Sequence, residues 1–139
     1  VVWSYPRGNL SKAGETSLDT IAYGAHIASL MGATIIKVKL PTDHLENELA
    51  KQEYIKYNIP RSSLADRVNH IKQACFNGKR MVVFSGGEVK DASGIYDEAR
   101  AIIKGGGNGS IIGRNIFQRP KTEAMKILEE LINIYKQGE

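Results

Sequence analysis

The sequence predicts an α/β fold: four parallel strands, each followed by helix, together making half of a (β/α)8 barrel. Three observations carry this. Short apolar runs alternate four times with amphipathic helical stretches, the signature of parallel βαβ units. The runs are dense in Val and Ile instead of cleanly alternating, as expected of strands covered on both faces. A complete barrel of this kind takes ~250 residues, so four units in 139 residues amount to about half of one.

The first apolar run covers residues 1–5 and leads through Pro6-Arg7-Gly8-Asn9 into a predicted helix over 15–31. That helix places Leu18, Ile21, Ala22, Ala25, Ala28 and Ser29 on one face, and Gly32 is its C-terminal stop. The second run, 33–40, precedes two helical pieces, 44–57 and 61–77. Pro60 separates them, breaking the first and starting the second. The third run, 81–85, is followed by Gly86-Gly87 and a helix over 93–104. The fourth, 110–113, is followed by Arg114-Asn115 and a helix over 122–135. Gly105-Gly106-Gly107-Asn108-Gly109 joins a helix to the next strand at the opposite end of the barrel. It fits neither a dinucleotide fingerprint nor a P-loop and reads as a tight helix stop.

No linker, low-complexity tract or composition shift divides the chain, so residues 1–139 read as one half-barrel unit. Hydrophobic residues at 42% and charged residues at 24% are ordinary soluble-globular values. The net charge of +4 comes from 19 basic residues interleaved with 15 acidic ones. No basic run tracks a phosphate backbone, so no nucleic-acid partner is expected. No apolar stretch approaches the ~20 residues that span a bilayer, so no membrane partner is expected either. The single cysteine, Cys75, lies in an apolar helical pattern with Val68 and Ile71 and reads as a core residue in a reducing, cytoplasmic setting. His26, His44 and His70 share no metal-ligand spacing; no metal and no cofactor are expected. There is no signal peptide, and the opening on a β-rich run without an initiator Met suggests a start inside a larger unit.

Functional groups in α/β folds gather at the C-terminal ends of strands. In order, those ends read Tyr5-Pro6-Arg7-Gly8, Lys37-Val38-Lys39, Ser85-Gly86-Gly87 and Gly113-Arg114-Asn115. Strand parity puts Lys37 and Lys39 on one face, opposite Ile36, Val38 and Leu40. Either both lysines lie past the strand end in water, or both point to the barrel interior. There, enclosure and a second nearby cation favour a neutral, nucleophilic amine. The pattern does not choose between the two lysines. Tyr5 shares parity with Val1 and Trp3; it is either a packing residue or a proton donor and acceptor. Glycine-rich βα turns are common for backbone reasons. Two at consecutive strand ends, with Arg114 as a charged fork, also match a phosphate site.

Trp3-Ser4-Tyr5-Pro6-Arg7-Gly8, Ile36-Lys37-Val38-Lys39, Phe84-Ser85-Gly86-Gly87 and Ile112-Gly113-Arg114-Asn115-Ile116-Phe117-Gln118 appear here in one order. In that order they resemble the signatures of the archaeal-type class I fructose-1,6-bisphosphate aldolases. The length between Pro41 and Pro60 points to the bacterial-type subgroup. The resemblance implies the C-terminal half of the barrel, strands five to eight. It implies Lys37 as the Schiff-base lysine, which separates it from Lys39, and Tyr5 as the catalytic tyrosine with Trp3 lining the site. Ser85, Gly86, Gly87, Gly113 and Arg114 become the phosphate contacts, and Lys39 a neighbouring cation or a further phosphate contact.

The implied reaction is cleavage or formation of fructose 1,6-bisphosphate, from dihydroxyacetone phosphate and glyceraldehyde 3-phosphate, in glycolysis or gluconeogenesis. A sister Schiff-base aldolase or transaldolase on another sugar phosphate is a second reading. A non-catalytic phosphate-binding half-barrel is a third. The family's first strand supplies an active-site aspartate, and its early loops help hold the far phosphate; neither has a counterpart here. A lone half-barrel also leaves two sheet edges uncovered, so a longer chain or a second copy, in a homo-oligomer, is expected to complete it.

Overall fold

A computed structural model describes residues 1–137. Four strands, β1 (Val2–Trp3), β2 (Ile35–Val38), β3 (Met81–Ser85) and β4 (Ser110–Ile111), form one sheet in the order β1-β2-β3-β4. Every pair is parallel, with Trp3 beside Lys37, Val38 beside Phe84 and Ser85 beside Ile111. The connections carry α1 (Leu18–Leu30), α2 (Glu48–Lys56), α3 (Leu64–Ala74) and α4 (Ala92–Lys104). After β4 come α5 (Arg114–Phe117) and α6 (Lys121–Lys136). This nearest-neighbour parallel order is the expected α/β half-barrel.

Strand alternation sets the core. Ile36, Val38, Val82 and Phe84 are fully buried and meet Leu18 and Ile21 of α1 and Val68 and Ile71 of α3. A second cluster joins Ile95 and Ala99 of α4 to Ile127, Leu131 and Ile134 of α6. Cys75 is fully buried at the end of α3, where burial pushes its thiol up from the usual range. The glycine-rich turn closes tightly below the sheet. Gly105 ends α4, and a Cβ on Gly107 would lie 2.8 Å from Ile102 Cγ2 and 2.9 Å from Phe84 Cε2.

Several boundaries move for local reasons. Residues 14–16 form a separate 3-10 turn, and α1 starts only at Leu18, because Ser17 is extended (ψ 147). The helix expected over 44–57 is shortened to α2. Asp19 accepts from the Glu46 and Asn47 amides (3.1 and 2.8 Å). That leaves Asn47 as the cap, its Oδ1 accepting from the Leu49 and Ala50 amides. His44 therefore does not start a helix; its Nε2 lies 3.0 Å from Glu46 Oε2. Ser63 and Asp66 form a reciprocal capping box that starts α3 at Leu64 instead of 61. The fourth strand keeps only Ser110–Ile111, and Gly113 leads straight into α5, a short helix absent from the sequence expectation.

β1 and β4 each have one neighbour, so the sheet has two free edges. Trp3 of β1 and Ile111 of β4 are exposed on these edge strands, and Tyr23, Leu30, Phe117 and Ile132 are exposed elsewhere on the surface. No described helix is long and apolar enough to cross a membrane.

Candidate active site

The four strand ends open onto one cleft of about 920 Å³, lined by Tyr5, Lys37, Lys39, Ser85–Gly87, Gly113 and Arg114. Trp3, expected to line the site, is not among its lining residues and lies instead against Lys37. The sheet register explains this: Trp3 and Lys37 are lateral neighbours on parallel strands, so their side chains leave the sheet on the same face. Lys37 Nζ sits 4.2 Å from the Trp3 ring centroid, a cation–π distance. The Trp3 and Tyr5 rings are stacked with centroids 6.2 Å apart.

Lys37 is only 7% exposed, and no carboxylate pairs with it among the described residues. A nearly enclosed lysine amine with an aromatic wall and no counter-ion is an uncommon arrangement, because an unpaired buried charge is costly. Lys39, two residues on, is held differently. Its Nζ donates to Glu15 Oε2 at 2.7 Å, and Arg7 Nη1 reaches the same oxygen at 2.8 Å. The Lys39 hydrogen bond holds the Glu15 carboxyl below its usual range, with Arg7 adding to the effect. Lys39, expected as a neighbouring cation or a phosphate contact, is thus ion-paired to a carboxylate that Arg7 shares.

On the other side of the cleft, the loops after β3 and β4 meet. Gly87 adopts a left-handed backbone (φ 65), and a Cβ on Gly86 would come within 3.0 Å of Ile112 Cγ2. The left-handed backbone favours glycine at 87, and a side chain at 86 would require Ile112 to shift. Arg114 Nη2 donates to the Gly87 carbonyl at 3.3 Å, which places its guanidinium beside the double-glycine turn. Asn115, 1% exposed, lies beneath them. Its Nδ2 donates to the carbonyls of Gly86 (3.0 Å) and Glu88 (2.8 Å), and its Oδ1 accepts from the Lys90 amide (2.7 Å).

Sequence reasoning missed two contributors, Glu15 and the role of Asn115. Glu15 gave no signal, since its partner Lys39 is 24 residues away and an acid near a helix start is ordinary. Asn115 was visible as part of the strand-end motif, but nothing in a linear pattern shows an amide turning back onto a loop 25 to 29 residues earlier. The histidines lie apart from the cleft's centre. His26 Nδ1 is 2.7 Å from the Ala74 carbonyl. His70 Nε2 is 2.6 Å from the Tyr54 hydroxyl. Among the described residues, no three His, Cys, Asp or Glu side chains come together as a metal site.

A family model described as DeoC/LacD family aldolase matches residues 1–119. A class 1 fructose-bisphosphate aldolase of Halobacterium salinarum is 32% identical over 119 residues, covering 86% of this chain and 36% of the relative. The class 1 enzyme of Thermoproteus tenax is 30% identical over 139 residues, covering 99% and 43%. The crystal structure of an archaeal fructose 1,6-bisphosphate aldolase superposes with a TM-score of 0.71 at 26% identity, covering 96% of this chain and 43% of that one. The chain therefore spans about two fifths of the length of the relatives it matches, and its four βα units match that share of an aldolase barrel.

Proposed function

This chain belongs to the DeoC/LacD family of aldolases, and we propose that it carries the Schiff-base half of a cytoplasmic class I fructose-1,6-bisphosphate aldolase. On this reading its four units are strands five to eight of the barrel. The observation that carries it is Lys37: nearly buried, without a counter-ion among the described residues, against the Trp3 ring, in a cleft shared with Tyr5 and two glycine-bearing strand-end loops.

The chemistry assigned to these groups is as follows. The Lys37 amine, once deprotonated, adds to the ketone carbon of the substrate, and loss of water gives an iminium. The iminium accepts the electron pair of the C3–C4 bond as that bond breaks. Tyr5 takes the proton of the C4 hydroxyl, so the aldehyde half leaves as glyceraldehyde 3-phosphate. The enamine left on Lys37 is protonated at C3. Water then hydrolyses the iminium, releasing dihydroxyacetone phosphate and restoring the amine. The Gly86-Gly87 and Gly113-Arg114 turns offer backbone N–H groups and a guanidinium to the phosphate of the dihydroxyacetone half. Lys39, ion-paired with Glu15, lines the same cleft.

Borohydride reduction with dihydroxyacetone phosphate, followed by peptide mapping, tests the assignment. The expected adduct is on Lys37. An adduct on Lys39, or on no lysine, sinks it. Profiling cleavage across other sugar phosphates decides between fructose 1,6-bisphosphate and the substrate of a sister aldolase.

A further inference from the structure

Asn115 has no place in the chemistry above, yet it is the most constrained polar side chain beside the cleft. It is 1% exposed, and its three bonds all go to main-chain groups of one loop: the Gly86 and Glu88 carbonyls and the Lys90 amide. These bonds use both kinds of polar atom on the side-chain amide, a match that neither a carboxylate nor a hydroxyl reproduces. The loop's other restraints come from Arg114 on the Gly87 carbonyl, Arg119 on the Lys90 carbonyl and the Lys90–Glu98 ion pair, none of which spans from Gly86 to Lys90 as Asn115 does. The loop follows β3, passes through the left-handed Gly87, and reaches α4 only at the Asp91 cap, whose Oδ1 accepts from the Gly94 amide. Asn115 itself is held from behind, because Arg119 Nε donates to its carbonyl at 2.7 Å while Arg119 Nη2 bonds to the Lys90 carbonyl.

The consequence is geometric. Asn115 belongs to the first turn of α5, directly after Gly113 and Arg114. By grasping Gly86 and Glu88 it fixes the distance between the two turns that meet across the cleft. An oxyanion held between two sets of backbone N–H groups needs that distance set within a few tenths of an ångström. We propose that Asn115 is the positioning residue of the anion cradle. It makes no contact with the substrate itself, and it holds the Gly86-Gly87 turn in register with Gly113-Arg114 so that both can take one phosphate group. This rests on the phosphate role given to those turns above.

The test uses inorganic phosphate and the whole chain, read by calorimetry and by amide NMR. In the wild type, phosphate is expected to shift the amide signals of Gly86, Gly87 and Gly113. The Lys90 amide, which donates to Asn115, is expected to exchange with solvent only on global unfolding. Asn115→Ala is expected to weaken phosphate binding tenfold or more and to broaden the Gly86 and Gly87 signals. Asn108→Ala serves as the control for a merely structural role. Asn108 Oδ1 accepts from the Val82 amide at the far end of β3 (2.9 Å), and its loss is expected to lower stability while leaving phosphate affinity within twofold.

Phosphate binding unchanged in a folded Asn115→Ala, or equal losses in the two variants, overturns the positioning role alone. Fast exchange at the wild-type Lys90 amide also overturns it, and that reading holds even where the alanine variant fails to fold. No phosphate binding by the wild type defeats the functional reading itself, and the positioning role with it.

Discussion

Replacing Lys37 by Met separates chemistry from folding. The side chain is 7% exposed and its ammonium rests 4.2 Å from the Trp3 centroid. Loss of a partly desolvated cation–π contact costs about 1 kcal/mol. Against it stands the relief of hiding a polar group that has no counter-ion, about 1–3 kcal/mol. Methionine is close to lysine in length and can follow the same path along the Trp3 ring. The sum is neutral to about 2 kcal/mol stabilising, which for a chain of this size moves the unfolding midpoint upward by about 0–8 °C. Thermal unfolding followed by circular dichroism reads this term. Borohydride trapping with dihydroxyacetone phosphate, followed by intact mass, reads the other. The expected result is an unchanged or raised midpoint with complete loss of the adduct. A midpoint lowered by more than about 4 °C would show the ammonium to be a structural anchor and refute the reasoning, as would an adduct that persists in the variant.

Three other perturbations address separate parts of the structure. Glu15→Gln removes the carboxylate shared by Lys39 and Arg7. It is expected to tighten phosphate binding severalfold at low ionic strength, with the gain vanishing in 0.5 M salt as the freed cations are screened, about a 4 Å Debye length; a salt-independent change would exclude this cause. Gly107→Ala forces a Cβ to within 2.9 Å of Phe84 and 2.8 Å of Ile102 and is expected to cost about 1–3 kcal/mol by overpacking. This is seen as a lower urea midpoint at constant m-value, and an unchanged midpoint would count against the turn's close packing. Glu46 is held down to about 2 from 4.5 by the Ser11 amide first, then by His44 and the Ser11 hydroxyl. Its folded value lies below its unfolded one, so its contribution is fully present above pH 4.5 and is lost as pH falls towards 2. Glu46→Gln is expected to flatten the stability profile across that window, and an identical acid limb in the variant would remove Glu46 as its source.

The fold was legible because its signals are local. The alternation of apolar runs with helices, and the buried face formed by Leu18, Ile21, Ala22 and Ala25, follow from backbone periodicity, and α1 ends just before Gly32. Lys37 and Tyr5 were named as site residues by the resemblance of the strand-end motifs, and both line the cleft. Parity placed Lys37 and Lys39 on one face but could not tell enclosure from ion pairing. Only the register that sets Trp3 beside Lys37, and the turn that brings Glu15 to Lys39, makes them different. The boundary of α2 was missed because Asp19, 27 residues earlier, takes the amides that would otherwise begin the helix. Tertiary partners of this kind leave no trace in a local window.

The Asn115 amide grips peptide groups only, and Glu88 and Val89 between those contacts point their side chains into solvent. Mutational drift at 88 and 89 is therefore invisible to the clamp. Substitution there can rewrite the rim of this cleft while the main-chain frame underneath stays unchanged. Positions 86, 87 and 115 form the conservative part of that bargain, and a library varied only at 88 and 89 would sample new rims without disturbing it.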